Sequence, residues 1–273
     1  MKRFAVALAL AGALAARAAA AEGPAPARCE SFREALRTFA ADGRYLVTFP
    51  SRASAKGTWL AAGVVAATAL TIRRDQAVRD NIVASDRPGA ARIAARFEPL
   101  GRQQVEAAAL GTLYLAGRVA GNSRVASTAA TTFESYLWAT VITSVSKVSF
   151  GRERPGGGSG EGRFFAGDSI FPSGHTLRSF AIASVLADRY GRRAALVAYP
   201  VAALVGLSMI QEDRHWASDV VAGAGLGMAI GKGIAARHPG PRSGSVQETT
   251  TNRAGASWTF VPRPGGAAAR IRF

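Results

Sequence analysis

Apolar residues in this chain collect into long blocks separated by short polar breaks marked with glycine and proline, a spacing that predicts helices rather than strands. Phe32, Leu36 and Phe39 recur at helical intervals between Cys29 and Phe39, so a short amphipathic helix is expected there. An uncharged apolar run follows from Trp59 to Ile72. Residues Arg73 to Arg102 are polar and basic, broken at Pro88-Gly89 and Pro99, and read as short helices and loops. A helix is expected from Val105 to Ala120, closed by Gly121-Asn122, and the longest from Val125 to Val148, with Glu134 and Lys147 its charged members. The run Gly156 to Gly160 reads as a loop. Ser173 is a plausible N-cap for a helix to Tyr190, ended by Gly191; a second runs from Ala194 to about Gln211 with Pro200 as a kink. The last core helix starts near His215 and reaches Ala236, with Gly223, Gly227 and Gly231 spaced for close helix contact. The fold class this implies is all-α: a compact bundle of about six core helices.

The two ends depart from the helical pattern. Lys2 and Arg3 precede an apolar run from Phe4 to Ala16 and small residues at Ala19-Ala20-Ala21, so residues 1–21 are expected to be a cleaved secretory signal. Residues 22–237 form the helical domain, and 238–273 a polar linker and tail. That tail, Trp258 to Phe273, alternates on either side of Pro264-Gly265-Gly266 and predicts a small C-terminal hairpin.

Charge narrows the partners. The formal net charge is +16, and removing Lys2, Arg3 and Arg17 with the signal leaves +13, 31 basic against 18 acidic residues. Such a surface favours anionic partners: phosphorylated substrates, acidic lipids or an anionic membrane surface. No basic stripe interleaved with aromatics is present, so nucleic acid is not expected. Cys29 is the only cysteine, which excludes an intrachain disulfide. Oligomeric state is not readable from the sequence.

Three short clusters carry the chemistry. Lys147-Val-Ser-Phe-Gly-Arg-Glu-Arg154-Pro155 sets a lysine and an arginine with six residues between them. Phe171-Pro172-Ser173-Gly174-His175 is a loop entering a helix, where free N–H groups suit an anion. His215-Trp-Ala-Ser-Asp219 spaces an imidazole and a carboxylate four apart, so that Asp219 can hold one tautomer of His215. Consecutive helices with short connections run antiparallel, and this alone places all three clusters at one pole of the bundle. Each has a duller reading as a helix cap or a surface ion pair, but two of only three histidines fall in these clusters.

Lys-x6-Arg-Pro, Pro-Ser-Gly-His and His-x3-Asp, in that order, resemble the signature of the type 2 phosphatidic acid phosphatase superfamily, which also includes class A acid phosphatases and vanadium haloperoxidases. The resemblance implies His215 as nucleophile, oriented by Asp219, and His175 as general acid and then base. Lys147, Arg154, Ser173 and Gly174 would bind the phosphoryl oxygens, with no metal and no cofactor. The third motif departs from the pattern: an arginine usual six residues before the histidine is Met209 here. Arg178, three residues past His175, is the expected substitute, with Arg214 a weaker one.

The expected function is a metal-independent phosphatase of the bacterial envelope acting on phosphorylated lipids or small phosphoesters through a phosphohistidine. The alternatives are a vanadate-dependent haloperoxidase, with vanadate as cofactor, or a phosphate- or lipid-binding protein without turnover. The Trp59–Ile72 run of 14 residues is about 21 Å as a helix, short for a roughly 30 Å hydrocarbon core. A periplasmic site with unsettled membrane embedding is therefore expected.

Overall fold

The computed structural model describes residues 32–83, 88–157, 161–240, 257–263 and 266–272; the expected signal segment and Cys29 lie outside them. Eight helices appear among the described residues: α1 Phe32–Thr48, α2 Ala55–Ile72, α3 Asp75–Val83, α4 Pro88–Phe97, α5 Gln103–Val119, α6 Ser123–Phe150, α7 Gly174–Gln211 and α8 Ala217–Arg237. Single 3-10 turns at Pro50–Arg52 and Glu98–Gly101 precede α2 and α5.

Local chemistry sets the boundaries. The Asn122 side chain accepts the Val125 N–H at 3.0 Å and opens α6. Gly151, at φ 47°, closes it by donating to the Lys147 carbonyl at 3.1 Å. α7 is two helices joined at Gly191, whose φ of 72° and ψ of −160° break the α geometry. A side chain at that φ would be strained, so glycine permits the reversal. The limbs 174–190 and 192–211 run antiparallel, as the 3.1 Å contact between the Ser184 and Tyr199 hydroxyls requires. His175 and Met209, at opposite ends of α7 in sequence, thus return to one pole. Pro200 stands within the second limb, while the break is at Gly191.

α8 lies against the first limb of α7 at very short range. A Cβ on Gly227 would come within 2.3 Å of the Leu177 carbonyl oxygen, and one on Gly231 within 2.4 Å of that of Ala181. The core forms along this seam from Ala139, Leu177, Ala181, Ile230 and Ile234. At its far end, fully buried Asp42 of α1 pairs with Arg237 and accepts from His238 Nε2 at 2.6 Å. That third histidine also meets Glu134 at 3.3 Å, so it docks α1 onto α6 and α8.

The outer face is apolar. Trp59, Leu60, Val65 and Leu70 of α2 are all exposed, Trp59 by 78%. α2 extends the apolar run back to Ala55 and has 18 residues, about 27 Å. The run read as too short to span is therefore part of a helix long and apolar enough to cross a membrane, as is α8; the Gly174–Gln211 stretch is apolar enough over an 18-residue window but folds back at Gly191. By itself, residues 241–273 form a second unit containing β1 Ser257–Arg263 and β2 Gly266–Arg272, paired antiparallel from Ser257 with Arg272 to Arg263 with Gly266.

Candidate active site

Four of the eight sequence-chosen residues line one cleft. Lys147 from the end of α6, and Gly174, His175 and Arg178 from the first turns of α7, share a cavity of about 330 Å³ with Glu98, Arg102, Gln103, Gln104 and Arg214. Lys147 has no carboxylate ion-pair partner among the described residues, nor has Arg154. Arg154 is exposed and donates its backbone N–H to Asp168 Oδ2 at 3.2 Å.

Beside this cleft stands the imidazole–carboxylate pair. His215 lies just before α8 rather than in it, yet its Nδ1 reaches Asp219 Oδ2 at 3.2 Å. The same oxygen accepts the Trp216 N–H at 3.0 Å, which fixes the carboxylate at the start of α8. His215 is buried, and burial lowers its pKa below the ordinary imidazole value despite Asp219, with Lys147 and Arg154 pushing the same way. The ring is neutral at neutral pH; with Asp219 on Nδ1, Nε2 is left for chemistry.

Ser173 occupies the N-cap position of α7 but makes no cap hydrogen bond; its hydroxyl accepts from Thr176 Oγ1 at 3.0 Å, and its backbone N–H donates to the Asp219 carbonyl at 3.0 Å. The second contact ties the Pro-Ser-Gly-His turn directly to the head of α8. The Phe171–Pro172 peptide that leads into it is cis.

Arg178 is buried. It donates from Nε to Glu106 Oε2 at 2.7 Å and from Nη2 to the Gly101 carbonyl at 3.1 Å. Its remaining nitrogen, Nη1, sits against Gly174, where an added Cβ would approach it to 3.1 Å. Met209 is fully buried and offers no charge. Arg214 lines the cleft too, but Glu98 at 3.3 Å and Glu212 at 3.0 Å hold it; Asp213 instead pairs with Arg79 at 2.6 Å.

Sequence reasoning missed three polar residues that support these groups. Arg152, inside the first motif, is 1% exposed and bonds Asp75, Ser218 and Asp219. Its place between two cations expected to bind phosphate hid the fact that it faces carboxylates. Glu106 and Asp75 lie outside every motif and gave no signal beyond being carboxylates in otherwise mixed segments. A cluster of His and carboxylate atoms within 4.8 Å of one another also exists at Asp42, Glu134 and His238. It belongs to the far end of α8, about 30 Å along the helix from His215, and Arg237 already occupies it.

Residues 128–240 match the model of the PAP2 superfamily. A lipid A 1-phosphatase of Porphyromonas gingivalis is 38% identical over 94 residues, 33% of this chain; the match takes in 19% of that relative's length. The crystal structure of the transmembrane PAP2 type phosphatidylglycerolphosphate phosphatase from Bacillus subtilis superposes with a TM-score of 0.53 at 15% identity, over 64% of this chain and 94% of that one. The helical fold is shared with that enzyme. The matched stretch, residues 128–240, holds all three motifs and is similar to the PAP2 superfamily.

Proposed function

We propose that the protein is a metal-independent phosphatase acting on phosphorylated lipids at a membrane surface. The observation that carries this reading is the meeting of Lys147, His175 and Arg178 in one cleft with the buried His215–Asp219 pair beside it. Lys147, Arg154 and Arg178 would neutralise the phosphoryl oxygens, while Ser173 and the Gly174 N–H complete the cradle. His215 Nε2 would attack phosphorus, and the bond to the leaving alkoxide would break as His175 gives that oxygen a proton. Water, deprotonated by His175, would then cleave the phosphohistidine and release inorganic phosphate. Arg178 takes the role left vacant at Met209.

A lipid substrate is favoured by the exposed apolar face of α2 and by the names of both similar proteins. The three apolar helices would hold the protein in the bilayer, with the cleft on the periplasmic face of the envelope.

The test is rapid quench with 32P-labelled lipid phosphates, with soluble phosphoesters in parallel. Wild type should accumulate acid-labile, base-stable label on protein, vanadate should block turnover, and His215→Ala should abolish both label and turnover. Near-normal turnover by His215→Ala would sink the mechanism; preference for soluble esters would sink the lipid assignment.

A further inference from the structure

A buried chain of charges runs behind the cleft and ends on the nucleophile. Asp75, the first residue of α3, is 5% exposed and lies outside the family-matched segment. Its Oδ1 accepts the Ser218 N–H at 2.9 Å. Its Oδ2 accepts from Ser218 Oγ at 2.5 Å and from Arg152 Nη2 at 2.7 Å. Arg152 turns its other terminal nitrogen to Ser218 Oγ, at 2.6 Å, and to Asp219 Oδ1. Asp219 then holds His215 through Oδ2. Arg152 is further fixed by donating from Nε to the Gly162 carbonyl at 3.1 Å, between the rings of Phe164 and Trp216.

The charges alternate along this chain, and the middle one sets a conflict. A guanidinium in direct contact with Asp219 withdraws the negative charge that must stabilise a cationic phosphohistidine at His215. A second buried carboxylate on Arg152 offsets that pull and restores negative potential at His215. Two buried anions sharing one buried cation is also costly to assemble unless every lone pair is met, and Ser218 meets them twice.

We propose that Asp75, acting through Arg152 and Ser218, is a positioning residue that keeps Asp219 aligned and its charge available to His215. This rests on the phosphohistidine reading for its kinetic consequence, but not for its electrostatic one. His215 is also faced by Lys147 and Arg154, both of which lower its proton affinity, and stands near His175 of the cleft. The carboxylates Asp219 and Asp75 work in the opposite direction.

The test uses the full-length protein in detergent with two independent readouts. The first is the rate of phosphoenzyme formation. Asp75→Asn should slow it at least tenfold with KM within twofold, and Asp75→Glu, which keeps the charge, should recover part of the loss. The second needs no turnover. The chain has three histidines, so in a His175→Gln/His238→Gln background the pH dependence of diethyl pyrocarbonate modification reports His215 alone. Asp75→Asn should move that midpoint down by about half a unit or more, since an anion near it is lost. Asp75→Glu should leave it in place. If Asp75→Asn does not fold, Ser218→Ala, which removes the bridging hydroxyl and keeps both charges, should still slow phosphoenzyme formation at least threefold. An unmoved midpoint in folded Asp75→Asn, or an unaffected Ser218→Ala, overturns the inference. Absence of any phosphoenzyme in wild type, with the midpoint shift present, counts against the proposed function alone.

Discussion

Replacing Arg178 with alanine separates what the residue does for the substrate from what it does for the fold. On the substrate side, one charge-assisted hydrogen bond is lost, worth roughly 1.5–3 kcal/mol. At about 1.36 kcal/mol per decade, that lowers kcat/KM by one to two decades. On the structural side, Glu106 loses its partner in a site where its side chain is 4% exposed. Ser179 Oγ still donates to it at 2.9 Å, but one hydroxyl does not replace a guanidinium. Removing one member of a buried pair costs about 3–5 kcal/mol, so Arg178→Ala alone should be markedly less stable as well as slow. Adding Glu106→Gln removes the orphaned charge and should return much of the stability while leaving the rate defect intact. Thermal unfolding in detergent and kcat/KM on one lipid phosphate, measured for wild type, Arg178→Ala and the double variant, resolve the two effects. Recovery of both stability and rate in the double variant would refute the assignment of Arg178 to phosphate. So would a silent Arg178→Ala. In the Arg178→Ala/Glu106→Gln background, Met209→Arg offers the usual family cation from the other limb of α7 and should restore part of the rate.

Four further outcomes follow from the same structure. Because burial lowers the pKa of His215, its neutral form persists below the usual imidazole range, so the acid limb of a kcat/KM profile should fall below pH 6.5. The unfolded chain takes up that proton first, so stability from this group is full above about pH 6.5 and declines as pH falls toward the folded value. A chemical denaturation series against pH checks the sign. Gly227→Val drives a side chain into the Leu177 carbonyl at 2.3 Å and should cost at least ~1–3 kcal/mol, read as a lower Tm. Leu60→Arg and Val65→Arg, on the exposed face of α2, should leave detergent-solubilised activity unchanged but weaken retention in carbonate-washed membranes, if that face meets lipid.

Much of the fold was legible because the chain punctuates itself with residues of single meaning. Gly191 marks a helix end by a mechanism visible in the sequence, whereas Asn122, read only as closing one helix, also caps the next, and the left-handed close at Gly151 was not read. The reversal at Gly191 is what returns the third motif to the second, so the shared pole followed from topology before any contact was known. Where α2 begins was less legible. Lys56, Gly57 and Thr58 look like a break in an apolar run, but Ser54 caps the helix by accepting the Gly57 N–H at 3.2 Å and carries it through them. The residues that meet in the cleft stood out because the motifs set particular side chains at fixed spacing. Arg178 was found by its helical offset from His175. Its partner Glu106 was not, because a contact across 72 residues leaves no periodic trace. Arg152 was obscured by company: an arginine flanked by Lys147 and Arg154 reads as a third phosphate ligand, and only burial among carboxylates reveals otherwise.

The tie between Asp75 and Arg152 also bears on how such a protein can be cut and rejoined. The family-matched segment from residue 128 onward carries every motif residue and looks like a transplantable cassette. Severed from α3, it would keep Lys147, His175, His215 and Asp219 but leave Arg152 with Asp219 as its one carboxylate partner among the described residues. Severed from α5, it would strand Arg178 without Glu106. Recombination that exchanged only the family-matched segment between two relatives would separate both pairs at once, even if each helix packed well. The heritable unit of this site is therefore longer than its motifs, reaching back at least to α3, and lineages should diverge by exchanging that longer piece or by changing the paired positions together.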